Sequence, residues 1–135
     1  MLRNSSIATH LSVAVIGAGI LGAMPGSALA ADAAKEAAAS EIHAGLAANA
    51  ATIEQVHMHL HHAVNCLVGP KGQGFDAKEA NPCQNLGDGA IPDTTDSATK
   101  AKLATALTRA QAGLNSDNLA AAKRAAAEAQ ASIGR

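Results

Sequence analysis

A chain whose only aromatic residue is Phe75 has little bulk with which to fill an interior. With no Trp or Tyr, its core must be built from Ala, Leu, Ile and Val. Such small side chains let helices approach closely but cannot pack a wide cavity. The expectation is an all-α protein with a thin core. A core of that kind gains from a crosslink, a bound ion or a second subunit.

The first thirty residues read differently from the rest. Arg3 is followed, after a short polar stretch, by an apolar run from Leu11 to Met24, broken by Pro25-Gly26. Ser27-Ala28-Leu29-Ala30 then offers small residues at the two positions a signal peptidase reads. The run is about a dozen residues, short of the roughly 20 that a spanning helix needs. Residues 1–30 are therefore expected to be a cleaved secretory signal peptide. That leaves residues 31–135 as one helical domain, exported to the periplasm and without stable membrane insertion after cleavage. The formal net charge is −1 and there is no basic block, which argues against nucleic acid as a partner.

From about residue 32 to 68 the chain contains no proline. Its larger apolar residues fall at Ile42, Leu46, Ile53, Val56, Leu60, Val64 and Leu67, in steps of three, four and seven. That spacing predicts one long helix with an apolar seam, ended by Gly69-Pro70. A glycine-punctuated loop follows over 69–92. Asp93, Asp96 and Ser97 are candidate N-caps for a helix over about 94–114, and Ser116 or Asp117 for a last one over about 117–134. The expected architecture packs the long first helix on this antiparallel hairpin. A helix of about 36 residues, roughly 54 Å long, outruns its partners, so part of the seam is left over. That surplus suggests a homodimer completing a bundle.

Cys66 and Cys83 are the only cysteines. In an oxidising compartment they are expected to pair, closing a loop of about 17 residues worth roughly 3 kcal/mol in the chain-entropy model. An intermolecular bond and thiolate metal ligation are the alternatives. The spacing is not Cys-x-x-Cys, so neither a thioredoxin-like site nor covalent haem attachment is indicated.

The densest chemistry lies in Val56-His57-Met58-His59-Leu60-His61-His62. On a continuous helix His57 and His61 stand four apart on one flank, where two imidazoles lean over the same patch and can chelate one ion. His59 and His62 point to other sides, and Met58 pairs with His62 at the same spacing. Imidazole suits copper, nickel or zinc, and Met58 adds a soft donor for Cu(I). Carboxylates are scarce nearby on the helix, which disfavours calcium or magnesium. His43 shares a face with His61, but on one straight helix it is too distant to join the same ion. Solvated surface roles for the cluster stand beside metal ligation. Haem ligation is a third reading, weakened by the lack of bulky residues to enclose a macrocycle.

The hairpin Leu107-Thr108-Arg109-Ala110-Gln111-Ala112-Gly113 with Ala120-Ala121-Ala122-Lys123-Arg124-Ala125-Ala126-Ala127-Glu128 resembles the alanine-rich hairpin repeats of small periplasmic metal-binding helical-bundle proteins. The resemblance covers about 35 residues and implies binding of copper and other divalent ions through regularly spaced histidines. The repeated histidine of that family is missing from this hairpin, where Arg109 and alanines stand. Metal binding, if carried over, rests on His57, His59, His61 and His62.

No Ser-His-Asp set, His-Glu-x-x-His motif or carboxylate pair beside the histidines is present, so an enzyme is not expected. Two function classes result. One is an exported metal-buffering or metal-resistance protein. The other is an envelope protein-interaction module whose disulfide-pinned loop is the docking surface.

Overall fold

The structure, a computed structural model, describes residues 31–135. The expected signal peptide, residues 1–30, lies outside the described residues. Among those described there are five helices and no strand: α1 (Ala33–Asn49), α2 (Ile53–Val68), α3 (Ala90–Asp93), α4 (Ser97–Leu114) and α5 (Leu119–Ile133).

The expected single helix over 32–68 is instead two helices that fold back on each other. Several local interactions make the break. Asn49 turns its side-chain amide back to Gly45 O (2.8 Å), and Ala50 leaves the helix with ψ 151°. Thr52 then starts α2 as its N-cap, its hydroxyl accepting from Gln55 N (3.3 Å). The Gln55 side chain reaches back to accept from Ala51 N (3.1 Å). The pair satisfies the Gln55 N–H, which the helix start leaves without a partner, and the Ala51 N–H in the turn just before the cap. Lys123 of α5 donates its ammonium to Ala50 O (2.9 Å), placing a cation at the negative end of α1. The two helices run antiparallel, joined midway by the Ser40 hydroxyl donating to Ala63 O (3.0 Å).

The α4–α5 hairpin forms as expected, although its caps are Asp96 and Asn118, the latter one residue beyond the nearer expected cap. Around the ring α1 packs on α2, α2 on α4, α4 on α5, and α5 back on α1. One chain therefore closes a four-helix bundle. The surplus helix length that suggested a second subunit disappears, because that length is spent on the α1–α2 hairpin.

The core is thin, as the composition demands. Val56, Leu60, Val64, Leu67 and Leu103 are almost completely buried, among alanines such as Ala44, Ala47, Ala63, Ala106, Ala110 and Ala126. Close approach is built in. A Cβ on Gly113 of α4 would stand 2.6 Å from Leu60 Cδ1, so the glycine makes room for the leucine. The seam divides at the break: its α2 half is core, whereas Ile42 and Leu46 on α1 stay exposed. No helix among the described residues is long and apolar enough to cross a membrane.

Gly69 ends α2 with φ 67° and ψ 175°, a conformation open essentially to glycine alone. A Cβ there would collide with the backbone of Asp88. The loop beyond it is fastened at two adjacent positions of α2. Cys66 forms the expected disulfide with Cys83. Fully buried Asn65 donates to Asp76 O (3.0 Å) and Ala80 O (3.1 Å), and accepts from Asp76 N (2.8 Å). A third fastening comes from α1, where Glu36 accepts from Gly89 N (3.0 Å).

Candidate metal centre

Folding α1 back on α2 decides which histidines meet. His43, read from sequence as too distant to share an ion with the cluster, lies against His59 with their Nδ1 atoms 3.5 Å apart. His62 stands edge-on to both, with ring centroids 5.0 Å from His43 and 5.9 Å from His59. His43, His59 and His62 each offer one ligating nitrogen, and all three nitrogens lie within 4.8 Å of one another. Two nitrogens bound at about 2.05 Å to one tetrahedral ion stand about 3.4 Å apart. The His43–His59 separation already matches that spacing.

The two helices supply these donors by simple periodicity. His59 and His62 are three apart on α2 and share a face, while Leu60 and Ala63 turn into the core. His43 comes from the adjoining face of α1, next to buried Ala44. All three rings are partly buried, an intermediate setting with access from solvent.

Burial, followed by the charges of His62 and His59, lowers the pKa of His43 from its ordinary value. Burial also lowers that of His62, against the opposing pull of the Glu79 carboxylate. Both shifts favour the neutral imidazole, which is the form that ligates metal.

The remaining histidines of the cluster are engaged elsewhere. His57 points its Nε2 at Ser116 O (3.0 Å), tying α2 to the turn between α4 and α5. His61 faces the loop, with Nδ1 3.6 Å from Asp76 Oδ2. His57 and His61 remain four apart on α2, each facing a different neighbour, and Met58 is exposed on α2. Of the residues expected from sequence, His59 and His62 are brought together. His43 is the one that sequence reasoning missed. Its signal was indirect: the Thr52-x-x-Gln55 capping pattern marks the break that delivers it.

The loop adds carboxylates to this end of the bundle. His62 Nε2 lies 3.6 Å from Glu79 Oε2, and His62 Nδ1 is buried without a hydrogen-bond partner. A cleft of about 580 Å³ lies elsewhere, lined by Val68, Ile91, Pro92, Leu107 and Gln111 among others, with no histidine. Compared with family models, curated proteins and solved structures, the chain matches none.

Proposed function

We propose that this is an exported protein that binds a divalent transition-metal ion, copper, nickel or zinc, through His43, His59 and His62, and serves in metal buffering or resistance. The observation that carries the reading is the convergence of three partly buried imidazole nitrogens within 4.8 Å, contributed by two helices. An all-nitrogen donor set suits these borderline ions better than calcium or magnesium. Three protein ligands leave a fourth position open for water or an exchanging ligand, as suits a site that takes up and releases its ion. The disulfide and the signal-like pattern of the first thirty residues support export. The alanine-rich hairpin likeness to periplasmic metal-binding bundles points the same way, although the donors here come from the other hairpin.

Calorimetric titration of the purified protein with Cu(II), Ni(II) and Zn(II) tests this. One ion should bind per chain. His43→Ala, His59→Ala and His62→Ala should each weaken binding at least about tenfold, or about 1.4 kcal/mol, whereas His57→Ala should leave the affinity unchanged. Binding insensitive to His43→Ala would refute the assignment.

A further inference from the structure

An imidazole ligates metal through one nitrogen only when the other carries the proton, and a neighbouring acceptor decides which one that is. His62 has unequal surroundings at its two nitrogens. Nε2 faces the Glu79 carboxylate at 3.6 Å, a few tenths of an ångström beyond hydrogen-bond reach. Nδ1 is buried and has no hydrogen-bond partner. A buried polar atom without a partner is costly, and an ion on Nδ1 would remove that cost.

Glu79 belongs to neither ligand helix. It sits in the loop between α2 and α3, in a turn closed by Glu79 N donating to Asp76 O (3.3 Å). Asn65, one turn past His62 on α2, grips that turn through Asp76 and Ala80 with three hydrogen bonds. The next residue, Cys66, is bonded to Cys83 further along the same loop. Two adjacent positions of α2 therefore hold the loop over the face that carries His62. An otherwise free segment of more than twenty residues would not keep one carboxylate beside one ring.

We infer that Glu79 is a positioning residue for the metal centre, accepting a hydrogen bond from Nε2–H of His62 so that the proton stays there and Nδ1 is free for the ion. The inference rests on the three-histidine reading above. It assigns the disulfide and the Asn65 clamp a role in the site as well as in the fold, because both fix the loop that carries Glu79. Outer carboxylates that orient a ligating histidine are typically worth 10–100-fold in metal affinity.

The test uses Glu79→Ala and Glu79→Gln in the full protein, with Zn(II) as the probe. The readouts are calorimetric affinity and long-range ¹H–¹⁵N correlation of the imidazoles. Without metal, His62 should be protonated at Nε2, and on adding Zn(II) the Nδ1 resonance should shift. Glu79→Ala should lose the single tautomer and weaken Zn(II) binding about 10–100-fold, with thermal stability unchanged since Glu79 is partly exposed. Glu79→Gln keeps an acceptor oxygen and should restore the tautomer. Wild-type affinity in Glu79→Ala, or Zn(II) on Nε2 of His62, would overturn the inference and leave the three-histidine site standing. Failure of the unaltered protein to bind Zn(II), Cu(II) or Ni(II) would remove both.

Discussion

Glu36 is a carboxyl where the fold would tolerate a neutral group better. It is 1% exposed, and its Oε2 is buried without a hydrogen-bond partner while Oε1 accepts from Gly89 N. Burial pushes its pKa up from 4.5 to about 7, helped by the neighbouring carboxylates of Asp93 and Asp32 and opposed by the Gly89 N–H. The folded protein therefore holds this proton where the unfolded chain has released it. Below about pH 4.5 the group is protonated in both states and costs nothing. Between about pH 4.5 and 7 the unfolded state alone gains from ionisation, so stability falls, and above about 7 both states ionise and the loss levels off. At about 1.4 kcal/mol per pH unit, a window from 4.5 to about 7 bounds the loss at about 3 kcal/mol. Glu36→Gln keeps the acceptor for Gly89 and cannot ionise. Urea unfolding should show the variant more stable than the parent at pH 8, the two converging at pH 4.5. A variant equally or less stable at pH 8 would mean that burying the Glu36 anion costs the fold nothing.

The α1–α2 turn is the element on which the proposed centre depends, since without it His43 and His59 would lie far apart along one rod. Thr52→Ala removes the hydroxyl that caps Gln55 N, a loss of about 1 kcal/mol for a cap of this type. It also raises helix propensity at the break. Thermal unfolding should show the lower stability. Metal affinity should fall as well, by a smaller factor than in His43→Ala, because the Lys123 bond to Ala50 O still closes the turn. The same element shows how far the sequence could be read. The seam of Val56, Leu60, Val64 and Leu67, the stop at Gly69, the α4–α5 hairpin and the Cys66–Cys83 bond were all legible, because each rests on a local pattern or on a cysteine count of two. The break was not, because alanines carry no directional signal and no Gly or Pro marks Ala50-Ala51. Proline-free sequence reads as continuous helix, and the capping pair of Thr52 and Gln55 is the clearest local mark against it. The same omission hid the approach of His43 to His59 and His62, while packing sets His57 against Ser116 and turns His61 toward Asp76.

At the scale of the whole molecule, the disulfide joins α2 to the loop, and an ion at the proposed centre would join α1 to α2. Each would compensate for a core with few large side chains. The disulfide acts mainly by restricting the unfolded chain, by roughly 3 kcal/mol for a loop of this size. An ion bridging two helices acts by mass action, because the unfolded chain does not hold the three donors together. Bound at 100 times its dissociation constant, such an ion adds about 2.7 kcal/mol. For a domain of about 100 residues each kcal/mol raises Tm by roughly 4–8 °C. Saturating Zn(II) should therefore raise the midpoint by roughly 10–20 °C, and a chelator should reverse the rise. The His43→Ala protein separates this linkage from nonspecific effects of the ion: it keeps His57, His59, His61 and His62 but loses the donor from α1. Its midpoint should hardly move with metal. A full Zn(II)-dependent rise in that variant would place the ion on α2 alone, and the two-helix centre would not be what stabilises the bundle.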